Sequence, residues 1–136
     1  MSKTHNPRSR PKVTFGKTER IETPRGPIYV TINRDNEGLC EVFVRSLDEE
    51  ADVIGRLVSL LLRTGVDPRE VIEQLWRVSS RQLVYDRVGS EEIIPVTTIA
   101  QGISLALGRF LYGKSFNPSK KYPKADELPE VSSAHE

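Results

Sequence analysis

Residues 23–45 read TPRGPIYVTINRDNEGLCEVFVR and contain two runs of alternating side chains on either side of a polar turn. Ile28, Val30 and Ile32 share one side of the first run, which is the period of a half-buried strand. The second run, LCEVFV, alternates in the same way, and the DNEG sequence at 35–38 favours a tight turn between them. These residues therefore predict an antiparallel hairpin.

The segment after the hairpin has the signals of an amphipathic helix. Ser46 and Glu49 have the spacing of a capping box, and Gly65 can end the helix in the left-handed conformation. A stripe of apolar residues recurs at helical spacing between them and is expected to face the core. Its members are Ala51, Ile54, Leu57, Val58, Leu61 and Leu62.

Two more helices follow in the same pattern. Asp67 is the predicted N-cap of the second helix, and Pro68 occupies its first turn, where a missing amide hydrogen has no cost. Thr98 and Gln101 form another capping box, which begins a third helix that ends at Gly113. We therefore predict one helix before and one helix after the segment at 79–94.

The remaining segments complete the predicted domain. TERIET at 18–23 indicates a third strand, whereas 79–94 is predicted to be a long connection with one short strand. The expected fold is α+β, a small three-stranded antiparallel sheet packed on one face against two to three helices. This domain is predicted to span 17–113, between a flexible basic arm at 1–16 and a flexible tail at 114–136.

Composition limits the class of protein. The chain has 136 residues, enough for a single modest core. No apolar run approaches the roughly 20 residues that a membrane span needs, so we expect no membrane association. Cys40 is the only cysteine, which excludes an internal disulfide and a thiolate zinc site. A cytoplasmic location is the expectation.

The basic residues are unevenly distributed. Every lysine lies at or before Lys17 or at or after Lys114, and the segment between them carries arginine as its only cation. Basic arms can bind phosphate backbones without sequence preference. One alternative is therefore a nucleic-acid binding module that uses the exposed sheet face with Arg8, Arg10, Lys12 and Lys17. Solvation of a disordered arm explains the same charges.

The sequence offers no catalytic constellation. Both histidines, His5 and His135, lie in the predicted tails, which excludes an ordered histidine base or metal ligand. Cys40 is expected to be a small buried hydrophobic residue. The helix dipole explains the acidic cluster without a cation; the cluster comprises Asp48, Glu49, Glu50 and Asp52. We assign no catalytic, cofactor-binding or metal-binding residue.

Several side chains are candidate contacts for an anion or a protein partner. Outward aromatic residues on the hairpin can stack on a base, cover a partner or pack under the connection at 79–94. Arginines can bind anions or simply pair with surface carboxylates. The candidates are Arg25, Arg56, Arg63, Arg81, Tyr29 and Phe43. A further alternative is an oligomerisation or adaptor domain that uses Trp76 or the last helix.

Three segments together resemble a known family. They are TPRGPIYVTINRDNEGLCEVFV (23–44), GRLVSLLLRTGVDPREVIEQLWRV (55–78) and TTIAQGISLALGRFL (97–111). This succession is similar to the TSCPD domain of adenosylcobalamin-dependent (class II) ribonucleotide reductases. That domain lies at the carboxyl end of these enzymes and sometimes forms a separate chain. The resemblance covers about 18–112.

The sequence departs from the family at two places. The Thr-Ser-Cys-Pro-Asp motif that names the domain falls on 93–97, where IIPVT stands, so its cysteine and aspartate are absent. Arg25 stands where the family often has a cysteine. The resemblance therefore implies that any thiol or metal role at these places is lost.

The resemblance also carries functional expectations. It implies a stand-alone domain that is accessory or regulatory in deoxyribonucleotide and hence DNA synthesis, with a ribonucleotide reductase catalytic chain as its partner. The family is associated with ribonucleoside-diphosphate reductase activity and nucleotide binding, but this chain lacks the catalytic barrel and cysteines. Adenosylcobalamin is accordingly expected on the partner, with no cofactor on this chain.

Overall fold

The computed structural model of the chain describes residues 6–88 and 92–118, apart from the side chains of residues 87, 88 and 92. The described elements are β1 (Phe15–Ile21), β2 (Ile28–Asp35), β3 (Gly38–Arg45), α1 (Glu49–Thr64), α2 (Pro68–Trp76), β4 (Val84–Val88), β5 (Glu92–Val96) and α3 (Ile99–Tyr112). The predicted α+β class is confirmed.

β1, β2 and β3 form an antiparallel sheet in that order, as predicted. β1 begins at Phe15, three residues before the predicted strand, because its pairing with β2 continues as far as Arg34. Gly38, with φ 128°, ends the turn between β2 and β3 in a conformation that favours glycine. The predicted hairpin thus supplies two of the three strands, with β2 in the centre and β3 at the edge.

One face of the sheet is covered by helices. Ile28, Val30 and Ile32 of β2 point into the core, and so do Cys40 and Val42 of β3, as their alternation predicts. α3 lies across β1 and β2 at close range. A Cβ added at Gly102 would lie 3.1 Å from side-chain atoms of both Ile28 and Thr23, so glycine allows this approach.

α1 packs against β3 through a face that differs from the predicted stripe. The buried residues of α1 are Ala51, Gly55, Val58, Ser59 and Leu62. A Cβ at Gly55 would lie 3.1 Å from the Val42 carbonyl oxygen, so small residues let the helix approach the strand closely. The prediction that Leu57 and Leu61 face the core is therefore wrong, and both are exposed.

The start of α1 also differs from the prediction. Asp48, not Ser46, is the N-cap, and its carboxylate accepts a hydrogen bond from the Glu50 amide at 3.0 Å. The Ser46 hydroxyl instead accepts from the Asp48 amide at 3.0 Å and shapes the preceding turn. Gly65 ends the helix with φ 98°, as predicted.

α2 and α3 form the rest of the helical layer. Asp67 caps α2 by accepting from the Arg69 amide, and Pro68 is its first residue, as predicted. The Ser104 hydroxyl of α3 donates to the Ile72 carbonyl of α2 at 2.7 Å. α3 is buried without a break from Ile99 to Arg109. Such a helix belongs to the core. The adaptor alternative named Trp76 or this helix as the contact, and Trp76 of α2 is half-buried.

The segment after α2 contains a second, two-stranded sheet. β4 and β5 pair in antiparallel register, with Asp86 opposite Ile94. The prediction of a long connection with one short strand over 79–94 is therefore wrong. None of the described helices is long and apolar enough to cross a lipid bilayer.

Candidate functional site

Cys40 is the one thiol of the chain, and it is enclosed. Its side chain is fully buried on the core face of β3, and its Sγ lies 3.6 Å from the Asn33 carbonyl oxygen, to which it donates. Burial, followed by the nearby charges of Asp35 and Glu41, raises the pKa of the thiol. A buried thiol of raised pKa is a poor nucleophile, which confirms the interpretation of Cys40 as a small hydrophobic residue.

Two of the four carboxylates at the start of α1, Asp48 and Asp52, pair with arginine. Arg25 lies 2.6 Å from the Asp48 carboxylate, and Arg56 lies 3.0 Å from Asp52 one helical turn away. Within residues 6–88 and 92–118, no three histidine, cysteine, aspartate or glutamate side chains form a group that could hold a metal ion. The two histidines, His5 and His135, lie outside the described residues.

A buried ion cluster joins the two sheets. Arg109 of α3 donates to Glu19 of β1 and, at 2.8 Å, to Asp86 of β4. Asp86 also accepts from the Glu22 amide at 2.9 Å. Burial raises the pKa of Glu19, and the charge of Arg109 opposes that shift. The cluster holds β4 against the main sheet, and sequence reasoning missed it because its members are far apart in the chain.

The uncovered face of the main sheet carries aromatic and basic side chains. Across the strands, Arg20, Tyr29 and Arg45 form one row, and Thr18, Thr31 and Phe43 form the next row. Tyr29 is 39% exposed and Phe43 is 47% exposed. The two candidate aromatic residues thus lie together on this face, as their outward positions in the sequence predict.

Arginine covers both aromatic rings. The guanidinium carbon of Arg10 lies 5.4 Å from the centre of the Phe43 ring, and that of Arg45 lies 5.9 Å from the centre of the Tyr29 ring. These are cation–π distances. A surface depression beside the rings is lined by Tyr29, Thr31, Phe43 and Arg45, among others.

Residues before β1 contact β2 and β3. Arg8 lies 2.5 Å from Asp35, and Arg10 pairs with Glu41, which also accepts a hydrogen bond from the Asn33 amide group at 3.3 Å. Although burial acts to raise the pKa of Asp35, its hydrogen bonds from Arg8 and from backbone amides lower it. Glu41 lies on the outer face, as its alternation predicts, but Arg10 and Asn33 bury it.

The four candidate arginines do not form one cluster. Arg25 and Arg56 pair with separate carboxylates, whereas Arg63 donates to the Cys40 carbonyl oxygen at 3.2 Å. Arg81 is exposed. No carboxylate in the described part of the chain pairs with two of these arginines.

α1 presents a second apolar face, and sequence reasoning assigned two of its residues, Leu57 and Leu61, to the core. Val53, Leu57, Leu60 and Leu61 lie at i, i+4, i+7 and i+8, and each is between 42% and 56% exposed. These four residues, here called the outward face of α1, lie opposite the small residues that pack on β3. A contiguous exposed apolar patch is typical of a protein–protein contact.

Comparisons with known proteins identify the family. Neither a search of curated proteins nor a search of solved structures found a match to this chain. A family model described as the TSCPD domain matches residues 3–111, well over half of the chain. This domain occurs at the carboxyl terminus of class II ribonucleotide reductases, so the resemblance inferred from the hairpin and helix segments is confirmed. The chain belongs to the TSCPD domain family.

Proposed function

We propose that this chain is an accessory domain of deoxyribonucleotide synthesis, which binds the catalytic chain of a class II ribonucleotide reductase in the cytoplasm. The family relation to these reductases supports this function. The partner supplies the catalytic barrel, the redox cysteines and adenosylcobalamin. This chain supplies a folded surface and changes the turnover or the effector response of its partner.

The outward face of α1 is the proposed contact with the reductase. Val53, Leu57, Leu60 and Leu61 are apolar and exposed, although the same helix has a complete buried face against β3. Interfaces that recognise a partner contain apolar anchors within a polar rim. The polar rim here includes Arg56 with its partner Asp52. Arg56 is thus a contact residue in this proposal, whereas Arg63 is engaged with β3.

The chemistry of the described residues supports a binding role. The thiol of Cys40 is buried and of raised pKa, and Asp48 and Asp52 at the start of α1 are paired with arginine. Arg109, the buried cation of α3, is held between Glu19 and Asp86. Each of these groups has a structural partner, so the exposed surfaces of the chain are the parts available for function.

A binding experiment tests the proposed contact. The chain is titrated into the purified class II reductase catalytic chain of the same organism, and the dissociation constant is measured calorimetrically for Leu57→Lys and Leu83→Lys variants. Leu83 is the matched control, because it is 46% exposed and lies outside α1. We expect Leu57→Lys to weaken binding by about tenfold or more, since it places a charge in the centre of the apolar contact. Equal effects of the two variants would contradict the α1 contact, and the absence of binding by the unmodified chain would contradict the partnership.

A further inference from the structure

We propose that the outer face of the β1–β2–β3 sheet binds single-stranded nucleic acid and stacks two successive bases on Tyr29 and Phe43. The surface is distinct from the outward face of α1, so this inference does not depend on the reductase partnership. It keeps the sheet face and Arg10 of the nucleic-acid alternative but not Lys17, because the register pairs Lys17 with the core residue Ile32 and thus places Lys17 on the opposite face.

The two rings have the spacing that stacking of two successive bases requires, once Arg10 and Arg45 move from the ring faces towards the phosphates. Tyr29 lies opposite Arg45 and Phe43 lies opposite Thr31, so the rings are diagonal neighbours on adjacent strands. Diagonal neighbours on adjacent strands are about 7–8 Å apart. Neighbouring nucleotides of an unstacked single strand can span this separation. Exposed aromatic residues on a sheet are a general means of holding unpaired bases, because every base has a flat π face.

The charge on this face is complementary to a phosphate backbone. Arg10 is 63% exposed at its side chain, whereas its partner Glu41 is only 3% exposed, so the pair presents the cation to solvent and keeps the carboxylate beneath it. No carboxylate of the described residues lies within ion-pair distance of Arg45. Arg20, in the row of Tyr29, pairs with Glu22 at 2.9 Å and remains exposed.

Polar groups between the rings can contact the sugar or the base edge. The hydroxyls of Thr18 and Thr31 lie 2.6 Å apart in the row of Phe43. Each hydroxyl can donate and accept, so the pair can rotate to meet either kind of group. A duplex keeps its bases stacked on one another, and a mononucleotide occupies only one ring. The two-ring arrangement therefore favours a single strand.

Fluorescence anisotropy with a labelled twelve-nucleotide oligothymidylate tests this proposal. We expect saturable binding at 20 mM salt and a log–log salt dependence with a slope of about −2, because each of three arginines that neutralises a phosphate on a single strand contributes about −0.7. Arg45→Gln should reduce the magnitude of the slope by about 0.7. A twelve-base-pair duplex and thymidine monophosphate serve as competitors, and both should compete at least tenfold less well than the unlabelled oligonucleotide.

Matched variants separate stacking from folding. Tyr29→Leu and Phe43→Leu keep apolar bulk on the sheet but remove the ring, and each should weaken binding by about tenfold. Tyr29→Phe should retain binding, because the ring remains. Tyr85→Leu is the control, since Tyr85 is 62% exposed on the separate two-stranded sheet. Circular dichroism melting confirms that each variant folds.

Three results would overturn the proposal. The first is no saturable binding of the oligonucleotide by the folded chain at 20 mM salt. The second is an equal loss of affinity in Tyr85→Leu and Phe43→Leu. The third is competition by thymidine monophosphate as strong as that by the oligonucleotide, which would indicate a one-base site.

Discussion

The Ser59 hydroxyl accepts a hydrogen bond from the Val42 amide at 2.8 Å and donates one to the Val42 carbonyl at 3.0 Å. One side chain of α1 thereby takes the place of a neighbouring strand at the free edge of β3. Unpaired strand edges invite unwanted association, and covering an edge with a helix is one way to prevent it. The same contact fixes the rotation of α1 and directs Leu57 and Leu61 outward.

Replacing Ser59 tests this edge contact. We expect Ser59→Ala to lower the free energy of unfolding by about 1–3 kcal/mol, because the buried Val42 amide and carbonyl lose their partner. Urea denaturation measures the change. Thr64→Ala is the control, since the exposed Thr64 hydroxyl donates only to the Leu60 carbonyl within its own helix. A loss below about 0.5 kcal/mol for Ser59→Ala would contradict the role assigned to this hydroxyl.

Removing the Asp86 carboxylate should destabilise the fold more than Ser59→Ala does. Asp86→Ala leaves the buried Arg109 without one of its two carboxylates and removes the acceptor of the Glu22 amide. We expect a loss of about 3–5 kcal/mol in unfolding free energy, which is the usual cost of breaking a buried ion pair. Adding Arg109→Met should recover part of this loss, since it removes the buried cation that lacks Asp86, while Glu19, which then loses Arg109, is partly exposed. A double variant less stable than Asp86→Ala would show that the incompletely paired Arg109 is not the cause.

The cap of α2 gives the chain a pH-dependent contribution to stability. The Asp67 carboxylate accepts hydrogen bonds from the Arg69 side chain and the Arg69 amide, and it lies beside the Arg69 charge. These interactions lower the pKa of Asp67 below the ordinary 3.8. A carboxyl group with a lowered folded-state pKa stabilises the fold above its unfolded pKa, and this contribution disappears as pH falls through the folded value. We expect Asp67→Ala to cost about 1 kcal/mol at pH 7 and less at pH 2. Urea denaturation at the two pH values measures both costs, and equal costs would refute the assigned pKa direction.

The thiol of Cys40 should react only when the fold opens. Its side chain is fully buried and its pKa is raised, so little thiolate is exposed at pH 7.5. We expect the reaction with a chromogenic disulfide reagent to be slow in buffer and rapid in denaturing urea. Ser59→Ala should accelerate the reaction in buffer, because it destabilises the strand that carries Cys40. Rapid reaction of the unmodified native chain would contradict the burial of this side chain.

The sequence predicts the elements whose side chains alternate by hydrophobicity. Ile28, Val30 and Ile32 predict β2 and its buried face correctly, because the pattern and the packing coincide. The same reasoning fails for the buried face of α1. Its buried face depends on Gly55, which allows close approach to β3, and on Ser59, which hydrogen-bonds to the edge of that strand. Neither property appears in a count of apolar residues.

The second sheet illustrates a different limit. Asp86 of β4 is buried because Arg109 lies beside it in space, and a polar residue inside a strand gives no local signal of that burial. The outer face of the β1–β2–β3 sheet was partly predictable. The outward positions of Tyr29 and Phe43 follow from strand alternation. The cover that Arg10 and Arg45 provide depends on the path of the chain before β1 and on the pairing of β2 with β3.

A turnover assay tests the proposed partnership with the reductase. Deoxyribonucleotide formation by the purified class II catalytic chain of the same organism is followed with a saturating amount of this chain, with the Leu57→Lys variant and without either. We expect the unmodified chain to change the rate, or the response to allosteric nucleotides, by severalfold. The Leu57→Lys variant should have less effect at equal concentration. Identical rates and effector responses under all three conditions would contradict the partnership.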